Sequence, residues 1–262
     1  ISERKMPVDQ NYWLYRPVRR AVQCVFPKMT MEGIENLPKE PCILVGNHSQ
    51  MYGPIAAELY APGEHYTWCA GEMMHLKEVP DYAYRDFWAG KPKYIRWFYK
   101  GLSYVIAPLS VLVFNNAHTI GVYHDSRILS TLKTTVKRLE EGNHIVIFPE
   151  QNVPYNNIVN SFQTGFVDVA KLYYRRTGKQ LSFVPVYLAP KRKTMYLGEP
   201  VVFCPEASME EERLRISEAL MDKITKMACN LPRHRVVPYN NIPKRDYPFN
   251  IPAEAAYEKA CD

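Results

Sequence analysis

The sequence predicts an α/β fold: a largely parallel, mixed sheet flanked by helices, with an amphipathic helical segment at the N-terminal end. Three observations carry this. Two short apolar runs, Cys42 to Gly46 and Ile145 to Phe148, are bounded by turn residues, as strands buried on both faces are. Longer segments repeat their apolar residues at helical spacing. Strand-like and helix-like segments alternate along the chain, which is how parallel sheets are assembled.

Residues 11–28 (NYWLYRPVRRAVQCVFPK) place Val18, Val22, Val25 and Phe26 at helical spacing among Arg16, Arg19, Arg20 and Lys28. The stretch from Lys91 to Phe114 repeats the recipe, with Lys91, Lys93, Arg96 and Lys100 interleaved among Tyr94, Trp97, Phe98, Tyr99 and Tyr104. Basic helices flanked by aromatics suit a bilayer interface. The alternative is a pair of core helices with snorkelling basic ends. No uninterrupted apolar run reaches the roughly 18 residues of a spanning helix. The nearest, Leu102 to Phe114, is broken by Pro108. Any membrane contact is therefore expected to be peripheral.

After the strand at 42–46, Gly53-Pro54 opens a short helix, with Pro at a favoured first-turn position. Residues 127–141 form a helix with Ile128, Leu129, Leu132, Val136 and Leu139 on one face, ended by Gly142. Beyond the strand at 145–148, a helix is expected from about Phe162 to Arg176. Strands follow at Phe183 to Leu188, Met195 to Leu197 and Val201 to Phe203. Ser208 and Glu211 make a capping box for a helix running towards Cys229. The Pro- and Asn-rich tail from Leu231 to Pro252 is expected to wrap the surface without regular structure. The organisation that follows is 1–30, an amphipathic and membrane-contacting helix; 31–230, the α/β domain; and 231–262, a C-terminal extension.

Composition narrows the function classes. A charge of +6 with 13% aromatic residues, 19 of them Tyr, suits an anionic and partly apolar surface such as lipid headgroups. A mildly basic enzyme with no special partner fits the charge equally well. The six cysteines stand singly with no C-x-x-C pair, and read as reduced thiols of the cytoplasmic side. Ile1 to Gln10 has no apolar core, so no secretory leader is expected there. His118, His124 and Asp125 lack metal-ligand spacing, so no metal is expected. There is no G-x-S-x-G elbow, no phosphate-binding glycine loop and no G-x-G-x-x-G fingerprint. Lys191-Arg192-Lys193 is a short basic turn, and no nucleic-acid partner is expected.

The chemistry gathers where strands end. Asn47-His48 follows the first buried strand, and in α/β sheets ligands bind at the carboxyl ends of strands. An imidazole there can take a proton from a hydroxyl near neutral pH. Phe148-Pro149-Glu150 ends the second strand, Gly121 and Arg127 stand six apart between the two, and Val184-Pro185-Val186 lies in a later strand.

In this order and spacing, over about residues 30–205, the chain resembles the 1-acylglycerol-3-phosphate acyltransferase family. That family's blocks read N-H-x-x-x-x-D, G-x-x-x-x-x-R, F-P-E-G-T-R and V-P-[VIA]. Gly33-Ile34-Glu35-Asn36-Leu37-Pro38 also resembles the approach to the first block, and Phe162-x-x-Gly165 with Ala170 the helix after the third. The resemblance implies transfer of a fatty acyl group from a thioester, acyl-CoA or acyl carrier protein, to a hydroxyl of a lysophospholipid or related alcohol. It implies His48 as general base, with Asn47, Gly121, Arg127, Pro149 and Glu150 contributing to substrate binding. It implies no cofactor beyond the donor, and a peripheral place on the cytoplasmic side of the membrane. Arginine suits a phosphate because its planar fork pairs with two oxygens at once.

Two departures stand out. The family's Asp is Gly53 here, and F-P-E-G-T-R has become F-P-E-Gln151-Asn152-Val153. In serine proteases, replacing the Asp that orients the histidine lowers kcat about 10⁴-fold. Three expectations follow. Another carboxylate among Glu58, Glu72, Asp125 and Glu150 orients His48. Or free backbone N–H groups at Gly53 hold an anionic group of the substrate. Or the protein is a weak or inactive member that binds phospholipid or acyl chains.

Overall fold

The computed structural model describes residues 12–88 and 92–251. Ile1 to Gln10, Asn11 and Lys91 at the heads of the two basic segments, and the end of the tail with Cys261 lie outside the described residues. In chain order the elements are α1 (Tyr12–Val25), β1 (Thr30–Glu32), β2 (Ile43–Gly46), α2 (Tyr52–Tyr60), β3 (His65–Ala70), α3 (Val79–Ala83), α4 (Arg96–Asn116), β4 (Thr119–Val122) and α5 (Ile128–Glu140). They continue as β5 (His144–Ile147), β6 (Glu150–Pro154), β7 (Asn160–Phe162), α6 (Asp168–Thr177), β8 (Ser182–Ala189), β9 (Thr194–Leu197), β10 (Val201–Val202) and α7 (Met209–Cys229). The chain folds as two compact units, Ile1–Phe26 with Tyr66–Thr134, and Pro27–His65 with Thr135–Asp262.

The second unit holds the predicted sheet, in the order β1-β9-β8-β2-β5. Strand β2 lies between two parallel neighbours, with Ile43 opposite Ile145 of β5 and Phe183 of β8. Antiparallel pairing of β8 with β9 and β10 makes the sheet mixed. Ile43, Leu44, Val45, Ile145, Val146 and Ile147 are all buried, as their unbroken apolar runs predict. Helix α7 packs on β8 through Ile216, Leu220 and Ile224, none of them solvent-exposed. Its predicted capping box is formed: Ser208 Oγ accepts the Glu211 N–H at 3.2 Å, and Glu211 Oε2 accepts the Ser208 N–H at 3.1 Å.

Three expectations differ from the structure. The stretch from Phe162 is not helical at first: Phe162 closes a hairpin of β6 and β7 by pairing with Glu150, and α6 begins at Asp168. In α5, Leu129 is 61% exposed, and the buried face is completed instead by Thr131 and Thr135. The Thr131 hydroxyl donates to Gly121 O at 2.6 Å, so this polar residue is buried without an orphaned group. The apolar run around Pro108 belongs to a longer segment than Leu102 to Phe114: helix α4 continues through Pro108, and Lys93–Asn116 is long and apolar enough to cross a membrane by length and composition.

In the first unit β3 and β4 pair in parallel, Thr67 opposite Thr119. Helix α4 packs against α3 and the turn at Gly71–Met74, around a core of Met73, Val79, Ala83 and Ala107. The face it buries is small: Ser103, Ala107 and Ser110, with Ser110 Oγ donating to Met73 O at 3.0 Å. Large apolar residues point the other way. Trp97 is 76% exposed, Val105 73% and Leu109 53%. Ile106, Val111 and Phe114 pack against the core as well, so the helix is apolar on its outward face in addition to its inward one.

Candidate functional site

His48 stands immediately beyond the carboxyl end of β2, in a turn that leads into α2. The turn is held in an uncommon shape. Ser49 (φ 46°) and Gln50 (φ 57°) are both left-handed, at a cost of roughly 1–2 kcal/mol for each non-glycine residue. What compensates is a set of hydrogen bonds. Asn47 Oδ1 accepts the Leu188 N–H at 2.7 Å, and Asn47 Nδ2 donates to Leu188 O and Ser49 Oγ at 3.1 and 2.8 Å. Buried Asn47 thus extends the β2–β8 pairing and fastens the turn, with all of its amide engaged.

The same turn answers the expectation about Gly53. The Gly53 N–H is not free for an anion: it donates to His48 O at 2.9 Å. A Cβ at Gly53 would run into that carbonyl oxygen and lie 2.9 Å from the Phe148 ring. Glycine is therefore what this closed turn requires, and an aspartate does not fit it.

Nor does a carboxylate hydrogen-bond the His48 ring among the described residues. Nδ1 is bonded to the backbone carbonyl of Gln50. A carbonyl only accepts, so Nδ1 carries the proton and Nε2 keeps its lone pair. The ring lies edge-on to Phe148 and Tyr239, with centroids 5.5 and 5.7 Å away. Burial lowers its pKa below the usual 6.5, against the opposing pull of the Gln50 carbonyl.

Glu150 reaches His48 by another route. Its Oε2 accepts the backbone N–H of His48, and its Oε1 accepts the Asn160 N–H at 2.8 Å. The carboxyl is a clamp between the His48 turn and the β6–β7 hairpin. Burial pushes its pKa up to about 7, although both N–H bonds pull it down. Pro149 is buried beside it, its carbonyl accepting the Gln163 N–H at 2.9 Å. Against this turn lies a narrow, wholly apolar recess lined by Leu44, Gly46, Ala57, Ala61, Phe148 and Val186, among others.

His48, Asn47, Pro149 and Glu150 belong to the second unit, Gly121 and Arg127 to the first. Gly121, in β4, is a packing glycine: a Cβ there would lie 2.9 Å from the Met74 sulfur and 3.1 Å from Gly71 Cα. Arg127 is engaged by its own neighbours. Its guanidinium bonds Asp125 at 2.8–3.1 Å and Glu78 at 3.1 Å, and lies 4.0 Å over the Tyr123 ring. These bonds raise the Arg127 pKa and lower that of Asp125. A phosphate arriving here has two carboxylates to displace.

No protein-family model and no curated protein matches the chain. Among solved structures, it is similar to the crystal structure of the 1-acyl-sn-glycerophosphate (LPA) acyltransferase, PlsC, from Thermotoga maritima. The likeness covers 87% of this chain and 86% of that one, at 18% identity and a TM-score of 0.47.

Sequence reasoning missed Gln50, Phe148, Tyr239 and Tyr247 as parts of the site. Phe148 had a signal, since it opens the block that contains Glu150. Gln50 acts through its main chain, which no residue-type argument detects. Tyr239 and Tyr247 come from about 190 residues further along, and only the folded chain brings them to the turn.

Proposed function

We propose that the protein is an O-acyltransferase that moves a fatty acyl group from a thioester to an alcohol, with His48 as general base. The observation that carries this is the hydrogen bond between His48 Nδ1 and the Gln50 carbonyl, which assigns the proton to Nδ1 and leaves Nε2 as the base at a strand's carboxyl end. The acceptor hydroxyl hydrogen-bonds Nε2 and attacks the thioester carbonyl carbon as its proton passes to the ring. The tetrahedral adduct then collapses, the C–S bond breaks, and the departing thiolate takes the proton back. The products are an ester and a free thiol, and no cofactor enters the balance. Acyl-CoA and acyl carrier protein are the donors proposed, and a lysophospholipid or related alcohol the acceptor.

The protein works at the cytoplasmic surface of a membrane in this reading. Helix α4 supports it. Its outward residues are apolar, its first turns carry Arg96 and Lys100 beside Trp97, Phe98 and Tyr99, and it lacks an acidic residue in its first turn. Basic residues at a helix N-terminus oppose the helix dipole. Anionic headgroups offset that cost, and tryptophan and tyrosine favour headgroup depth.

The test is acyl transfer from a radiolabelled thioester to a panel of lysolipids and simple alcohols, with the parent and His48→Ala compared. The substitution is expected to lower kcat by about 10²–10⁴, the usual contribution of a general base. Equal turnover in both proteins sinks the assignment. A specific observation favours a lipid-binding protein without turnover as the second reading: among the described residues, no carboxylate bonds the ring. Saturable binding of lysolipid with no ester formed in either protein establishes that reading instead.

A further inference from the structure

A histidine without a carboxylate still needs something to fix its tautomer and its direction. The Gln50 carbonyl does so only while Ser49 and Gln50 stay in left-handed backbone, where neither residue is at ease. The bonds already described fix the turn at residues 47–49 and 53. Residue 50 is fixed from elsewhere. Gln50 Nε2 donates to Asn240 O at 3.2 Å and to Tyr247 Oη at 3.1 Å.

Both partners lie on one loop, residues 234–250, closed at its neck. Val236 N donates to Pro248 O at 2.8 Å and Asn250 N to His234 O at 3.1 Å, with Arg235 bridged to Phe249 between them. The neck is tied to the end of α7 by Asn250 Nδ2, which donates to Ala228 O at 2.7 Å and Leu231 O at 3.0 Å. It is tied to β8 by Tyr187 Oη and His234 Nε2, 2.8 Å apart. Arg235 reaches across the loop to the carbonyls of Arg245 and Tyr247, at 2.9 and 2.6 Å. The loop is thus a rigid body set over the His48 turn. It presents three groups there: the Tyr239 ring edge to the imidazole, and the Asn240 carbonyl and Tyr247 hydroxyl to Gln50.

We infer that Gln50 and the 234–250 loop together replace the orienting carboxylate: the loop holds the Gln50 side chain, and the Gln50 carbonyl holds the Nδ1 proton of His48. This rests on the reading of His48 as a base and names what positions it. Gln50, Asn240 and Tyr247 are positioning residues. A backbone carbonyl carries no net charge with which to stabilise an imidazolium, so its upward pull on the ring's pKa is outweighed by burial, and what the arrangement fixes is geometry and tautomer.

The experiment uses the full chain with ¹⁵N-labelled imidazoles. The tautomer of His48 is read from two-bond proton–nitrogen correlations at pH 8, without substrate, in the parent, Tyr247→Phe and Gln50→Gly. The His48→Ala spectrum assigns the signal. Tyr247→Phe removes one hydroxyl, and Gln50→Gly keeps the carbonyl and accepts the φ but loses the side-chain bonds. The parent is expected in the Nδ1–H form alone. Both variants are expected to gain an Nε2–H population and to lose about tenfold in kcat, with KM and the melting temperature little changed.

An Nε2–H parent overturns the inference. So do variants that keep the Nδ1–H form unmixed. The tautomer is read without turnover, so the two ideas fail separately. A parent that forms no ester, yet shows the Nδ1–H form and loses it in Tyr247→Phe, supports the positioning and removes only the acyl-transfer reading.

Discussion

At the scale of single residues, the decisive position is Gly53, where the proposed resemblance would have an aspartate. The geometry does not accept one. The Cβ of any residue at 53 overlaps the His48 carbonyl and crowds Phe148, so Gly53→Asp opens the turn that aims the imidazole. The expected result is a loss of about 1–3 kcal/mol in unfolding free energy, as for other overpacked sites, and lower kcat. A gain in kcat, measured beside the parent, defeats this account. The ionisation of His48 gives a second check. Burial holds its pKa below 6.5, so the acidic limb of kcat/KM is expected below pH 6.5, with a plateau above it unless other groups titrate. Glu150 runs the opposite way in stability. Its folded pKa is raised from 4.5 to about 7. Its contribution is fully present below 4.5 and is lost as pH rises through 7, on the order of 3 kcal/mol in all. Glu150→Gln is expected to remove that part of the pH dependence in urea unfolding between pH 4.5 and 8. An unchanged profile rules it out.

At the scale of elements, the membrane reading belongs to α4. Fully burying a leucine or valine contributes about 1.5–3 kcal/mol, and a carboxylate at the same depth opposes binding further. Leu109→Asp and Val105→Asp are therefore expected to weaken liposome binding at least tenfold, with helix content by circular dichroism unchanged. Binding that survives both substitutions excludes this face. What the sequence made legible among the elements follows from range. Strands β2, β5 and β8 and helix α7 were readable because unbroken apolar runs and the Ser208–Glu211 cap are local signals. The β6–β7 hairpin was not, because Glu150 and Phe162 pair across a polar stretch with no alternation. The length of α4 was underestimated because an unbroken apolar run stops at Pro108, whereas the helix continues through it with its buried face marked by small residues at 103, 107 and 110. The tail beyond Leu231 was read as having no regular structure, whereas it carries a short 3-10 turn at Lys244–Asp246 and a bridge from Arg235 to Phe249; its place over the His48 turn depends on bonds to Gln50 that no local pattern carries.

At the scale of the whole molecule, the two proposed tasks fall in different units: α4 belongs to the first, and His48 with the 234–250 loop to the second. If the division is functional, each task is removable alone. Leu109→Asp touches nothing that bonds His48, so it is expected to leave transfer to a water-soluble acceptor unchanged from a short-chain thioester below its micellar concentration. The same substitution is expected to depress transfer on liposomes in proportion to lost binding, about tenfold or more. His48→Ala is expected to do the reverse, abolishing transfer in both assays while liposome binding stays at the parent level. The four measurements form a cross in which each variant spares what the other destroys. A Leu109→Asp protein equally impaired on soluble substrate shows that α4 supports the chemistry itself, for instance by lining the substrate path. A His48→Ala protein that no longer binds liposomes shows that the turn contacts lipid. Either result defeats the separation of the two tasks.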